Sequence, residues 1–200
     1  MTTEPQKSDW MVVSLALLAG ATAAAYVGKA SAALPLIRGE LNLTIVEAGW
    51  TVSLIAAMAM ATGVIAGMTA DKVGHRRLLI IGLLTLAVSS AAGSVAGSPG
   101  VLLVTRFFES VGFISVAASA PALVTTSILA RHREVVLGVW GVWFPVGIAL
   151  SMIISPLILG PLGWRGLWVF WAVAAIALVA ALLVKRPPAA PRDEASRPQP

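Results

Sequence analysis

A few charged residues stand inside long apolar stretches, and their spacing suggests chemistry. Arg106 and Glu109 are three residues apart, so on a helix they share one face. Lys29 stands alone in a run of alanines, glycines and other uncharged residues. A charge held at membrane depth is expensive and normally marks a solute pathway or a proton relay. Two bland readings stay open: Arg106 and Glu109 as a self-neutralising structural pair, and Lys29 snorkelling to the outer interface. A third group is more compact: Gly67-Met68-Thr69-Ala70-Asp71-Lys72-Val73-Gly74-His75-Arg76-Arg77 puts one acid and three basic side chains around two glycines. Gly67 would let two helices approach closely, and Gly74 would permit a tight turn.

The elements that must position these residues follow from composition. Apolar residues make up 58% of the 200 and charged residues 12%, with a mean hydropathy of +0.90. Soluble domains carry about 25% charge, so this is an integral membrane protein. The net charge of +5 is then a topology signal, and nucleic-acid binding is not expected. With no cysteine there is no disulfide framework, thiolate metal site or cysteine nucleophile. No metal-ligand spacing, Walker loop or dinucleotide fingerprint appears, so no cofactor and no ATP-driven step are expected. The only histidines, His75 and His132, fall in expected loops, which leaves an intramembrane hydrolase without a base.

Charges punctuate the chain into spans of the length a bilayer needs, about 20 apolar residues. Uncharged runs of 19, 23, 28, 21, 30 and 19 residues separate Asp9, Lys29, Glu47, Asp71, Arg77, Arg106, Glu109, Arg131, Glu134, Arg165 and Lys185. The spacing predicts six helices over 11–33, 46–69, 78–96, 101–127, 135–158 and 165–184. Thr44-Ile45-Val46-Glu47 is a capping-box pattern, and Gly97-Ser98-Pro99-Gly100 a turn. Residues 1–10 form an N-terminal segment, 11–184 the membrane domain, and the proline-rich 185–200 a disordered tail or truncated central linker. Ten lysines and arginines fall on the side of both termini and two, Arg38 and Arg165, on the other. Both termini are therefore expected in the cytoplasm. On these spans Lys29 and Arg106 each lie about 4–5 residues from the outer end of their helix, roughly 6–8 Å, and share a depth. Pro145 should kink the fifth helix. Trp140 and Trp143, one turn apart, line a pathway or pack against neighbours. Trp164 and Trp168 fit an interfacial aromatic belt. Gly63/Gly67 and Gly93/Gly97 have the spacing of close helix contacts.

The loop from Gly67 to Arg77 resembles the signature between helices two and three of the major facilitator superfamily, with His75 where Arg or Lys is usual. Arg106-Phe107-Phe108-Glu109-Ser110-Val111-Gly112 resembles that family's fourth-helix motif in the form seen in cyanate- and nitrate-type anion permeases, with Ser110 in place of Gly. The proton-antiporter motif of helix five is absent, because three residues separate Gly141 from Pro145. The resemblance covers about 11–184 and matches the N-terminal half of a twelve-helix transporter. It implies an all-α membrane protein with six transmembrane helices in a 3+3 inverted repeat. It further implies a multi-pass protein of the inner (plasma) membrane that moves a small solute, expected to be an anion, by alternating access. Gly67, Asp71, Lys72, Gly74, Arg76 and Arg77 would form the cytoplasmic gate. Lys29, Arg106, Glu109, Trp140 and Trp143 would line the substrate or proton pathway. Implied partners are membrane lipid, an anionic substrate, a coupling proton, and a second six-helix half supplied as a homodimer or a split partner. The alternative is a non-transporting scaffold or sensor, or an inactive fragment of a twelve-helix protein.

Overall fold

The structure is a computed structural model that describes residues 8–184, so the N-terminal residues 1–7 and the tail 185–200 lie outside the described residues. It is all-helical: α1 Trp10–Leu41, α2 Ile45–Val73, α3 His75–Ser94, α4 Pro99–Thr126, α5 Ala130–Gly141 and α6 Trp143–Val184.

Local chemistry sets most boundaries. Asp9 caps α1 by accepting from the Val12 amide at 3.2 Å. Thr44 opens α2 with the complete capping box: its Oγ1 accepts from Glu47 N, and Glu47 accepts from Thr44 N at 2.9 Å. Gly74, at φ +93°, is the only residue between α2 and α3, a left-handed joint that favours glycine. Ser98 and Pro99 start α4, with proline in the first turn, where no amide partner is needed.

Two expectations on helix ends are corrected. α1 runs to Leu41 rather than ending near residue 33, and Asn42 closes it in the left-handed region at φ 53°. Pro35 is carried inside it, as transmembrane helices tolerate when neighbours satisfy the freed carbonyl. Lys29 therefore lies 12 residues from the end of its helix, much deeper than four or five. The fifth span, expected at 135–158, is divided. The helix breaks at Val142, where Pro145 denies Gly141 a partner and its ring crowds that carbonyl.

α6 is two antiparallel arms, as its contacts along α1 reveal. Trp143 lies against Gly20 and Ser151 against Gly28. Trp164 then meets Glu40, Lys29 sits over the Trp168 ring, and Tyr26 bonds to Trp171 O. The order on α1 rises and then falls, so the chain reverses at Gly163, whose φ of 63° and ψ of −171° interrupt the helix. Five helices are long and apolar enough to cross a membrane, and this reversal folds the longest of them into two antiparallel arms.

α1 is the central element, and its own alanines and glycines are buried through its middle. Close approach is real where the glycine faces a neighbour: a Cβ on Gly147 would stand 2.2 Å from Ala21 O, and one on Gly112 would stand 2.7 Å from Gly82 O. It is absent where the Gly63/Gly67 spacing suggested it, since a Cβ on either residue would meet nothing within 4 Å. Gly93 does touch Trp168 and Thr105, whereas Gly97 faces open space. Trp164 and Trp168 are also corrected: at 2% and 0% exposure they are core residues, not an interfacial belt.

Candidate functional site

Three charged side chains meet in the middle of the bundle, each with no exposed surface. α4 presents Arg106 and Glu109 on one face, because a three-residue step nearly completes a helical turn. Glu109 Oε2 accepts from Arg106 Nη1. Its other oxygen, Oε1, accepts from Lys29 Nζ at 2.8 Å, which brings α1 onto α4. One carboxylate thus holds two cations, and the trio carries a formal charge of +1.

Each cation is anchored by further helices. Lys29 Nζ donates to Ser90 Oγ on α3 at 2.6 Å, and Ser90 donates to Trp168 O on α6 at 2.8 Å. The ammonium also lies 3.9 Å from the centre of the Tyr26 ring and 4.5 Å from that of Trp168, both close enough for cation–π attraction. Arg106 Nε donates to Thr51 O on α2 at 2.9 Å, and its Nη1 to Tyr26 O at 3.1 Å. Its Nη2 is buried without a partner among the described residues. Taking charges out of water costs several kcal/mol per ion, which only a near-complete set of partners offsets. The pair Arg106–Glu109 was legible from spacing. Tyr26, Thr51 and Ser90 were not singled out, though Tyr26 is the only tyrosine in the chain and stands three residues before Lys29.

The other expected site residues sit elsewhere. Trp140 and Trp143 stack on each other with centroids 4.9 Å apart and planes at 16°, against Gly20 of α1 and so well toward its N-terminal end from Lys29. They are half-buried, and Pro145 is exposed beside them. In the joint between α2 and α3, Asp71, Lys72 and Arg77 are exposed, and Arg76 donates to Leu182 O near the end of α6. Gly67 packs against no other element there. At the opposite end of the bundle Arg165 pairs with Glu40 at 2.5 Å and donates to Ala96 O at 2.9 Å, while Trp164 Nε1 donates to Glu40 at 2.7 Å.

The buried charge cluster thus lies at the centre of an all-helical bundle, five of whose helices are long and apolar enough to cross a membrane. The family profile described as Major Facilitator Superfamily matches residues 10–200, and the chain belongs to that superfamily. Relatives include a puromycin resistance protein of Streptomyces alboniger, 30% identical over 154 residues, which are 75% of this chain and 30% of the relative. A cis,cis-muconate transport protein of Acinetobacter baylyi is 29% identical over 154 residues, 77% of this chain and 37% of its own length. A riboflavin transporter of Clostridioides difficile is 24% identical over 135 residues, 68% of this chain and 30% of its own. The matched region thus spans about a third of each of these relatives.

Proposed function

We propose that the chain is a secondary active transporter, or one half of one, that moves a small anion by alternating access. The observation that carries this is the Glu109 carboxylate clasped between Lys29 and Arg106. That arrangement is a ready-made carboxylate site whose occupant is currently internal. A proton on Glu109 weakens both contacts and frees two cations, which a substrate carboxylate then holds. Loss of the proton returns Glu109 and expels the anion. Proton and anion thereby travel together, and the +1 charge of the trio favours an anionic solute over a cationic one. The relatives' names cover several solutes, among them the anion cis,cis-muconate.

Asp71, Lys72, Gly74, Arg76 and Arg77 form the gate, with Asp71 exposed and ready for a partner on a second body. The six crossings form one half, in a 3+3 repeat with both termini in the cytoplasm of a plasma-membrane protein. A second half completes the cavity, from a second copy or a separate chain.

The test is uptake of labelled carboxylates into proteoliposomes under an inward proton gradient. Lys29→Gln and Arg106→Gln should each abolish it, and Asp71→Asn should stop uptake while leaving expression normal. Unaltered uptake in both cation variants defeats the anion reading. One observation favours a second reading, a structural scaffold: the three charges are fully enclosed and largely satisfy one another. A scaffold predicts no uptake of any solute and no uncoupling by protonophore.

A further inference from the structure

We infer that Tyr26, Ser90 and Trp168 are positioning residues that hold the Lys29 ammonium in place when Glu109 loses its charge. This rests on the reading above, in which Glu109 takes up a proton, and adds that Lys29 stays where it is when that happens.

A lysine ammonium carries several N–H donors, and the carboxylate takes one of them. Lys29 Nζ donates to Glu109 Oε1 at 2.8 Å and to Ser90 Oγ at 2.6 Å, the shorter of the two contacts. Ser90 gives its own proton to Trp168 O at 2.8 Å, so its oxygen turns a lone pair to the ammonium. Two π faces complete the surroundings, the Tyr26 ring with its centre 3.9 Å away and the Trp168 ring at 4.5 Å. Attraction between a cation and a ring is strongest where water is excluded. Lys29, Ser90, Tyr26 and Trp168 are all fully buried. The ammonium therefore has three partners besides the carboxylate, drawn from α1, α3 and α6.

Each wall of this cage is fixed by contacts that do not involve Glu109. Tyr26 stands three residues before Lys29, on the same face of α1. Its O–H donates to Trp171 O at 2.9 Å, which ties the ring to α6. Trp168 lies against Gly93, one turn beyond Ser90 on α3. A Cβ there would stand 2.8 Å from Trp168 Cδ1, so a bare backbone admits the indole. Trp164 braces the same indole edge-on, with ring centres 5.4 Å apart and planes at 88°. On the far side of the carboxylate, Arg106 is held by the backbone oxygens of Thr51 and Tyr26. Glu109 is the group whose charge changes in the proposed cycle, and that change leaves all three walls standing.

Tyr26 is the only tyrosine, so growth on fluorotyrosine places a single fluorine label on the cage wall. The full chain is labelled in this way, set in phosphatidylcholine nanodiscs and read by fluorine NMR with no solute present. Lys29→Met should move the resonance, because the cation leaves the ring face. Glu109→Gln copies the uncharged carboxyl, and adding Lys29→Met to it should move the resonance by a similar step. A resonance that Lys29→Met leaves unmoved in either background overturns the cage, since the ammonium is then not on the ring. Within the Glu109→Gln background, Trp168→Phe keeps a π face and should retain the step. Trp168→Leu and Ser90→Ala should each lose most of it, and full steps in both overturn their positioning roles. If Glu109→Gln does not assemble, Glu109→Asp, which draws the carboxylate back from Nζ, takes its place and the same outcomes decide. No solute enters these measurements, so the cage stands or falls separately from the anion reading, which carboxylate uptake decides.

Discussion

Glu109 is the residue on which the centre of the molecule depends. It neutralises one of two cations that have no access to water, and it touches both. Glu109→Gln removes the charge and leaves Lys29 and Arg106 facing each other in a low-dielectric interior. Breaking a buried pair in this way costs about 3–5 kcal/mol. Lys29→Met is expected to cost clearly less, because Glu109 keeps Arg106 and the apolar side chain fills the space beside Tyr26 and Trp168. Thermal unfolding of the two variants in detergent gives the order. Equal losses, or a larger one for Lys29→Met, would show that Glu109 is not the shared counter-ion.

Among the elements, glycine position rather than glycine spacing controls packing. Gly147 sits where α6 crosses α1, with Ala21 O 2.2 Å and Ala24 Cβ 2.5 Å from any added methyl. Both neighbours are backbone or a short rigid side chain, so Gly147→Ala must push the helices apart at a cost of about 1–3 kcal/mol. Gly67→Ala meets nothing, and inside a helix alanine is preferred over glycine by about 0.5–1 kcal/mol. The matched pair should therefore move the midpoint of denaturation in opposite directions. A destabilised Gly67→Ala would mean that α2 packs there against something within this chain. Loss of uptake without loss of stability would place the partner on another body.

At the scale of the whole molecule, α2 is the element left uncovered. Met60 and Val64 are 87% and 81% exposed, and only Ala48, Thr51, Ile55 and Ala70 of α2 are buried. Relatives about three times the length of the matched region carry further chain that could cover such a face. The absence of cysteine makes a direct test simple. Val64→Cys in native membranes, treated with a bismaleimide, should give a crosslinked species: a band at twice the chain mass for a homodimer, or another mass for a separate partner. If only the monomer band remains across a range of linker lengths, the face is turned to lipid and the second body is not there.

Much of this molecule was written in the order of its residues. Apolar content and the intervals between charges pointed to an all-helical membrane protein, because bilayer thickness demands such lengths whatever the packing, and five of the observed helices are long and apolar enough to cross. The capping box at Thr44, the turn at Gly74 and the Arg106–Glu109 pair were also legible, since each is a local interaction over a few positions. What spacing could not give was any meeting across helices. Lys29 lies 80 positions from Glu109 and 61 from Ser90, and only the packing of α1 against α3 and α4 brings them to one carboxylate. The same packing decided that Gly147 and not Gly67 is a contact, that Trp164 and Trp168 are core, and that the fifth crossing is broken at Val142. In a chain where nearly every face is apolar, hydrophobicity does not tell one side of a helix from another. Direction is set instead by shape and by the few polar groups that must find each other, and those are settled only when all the helices are in place.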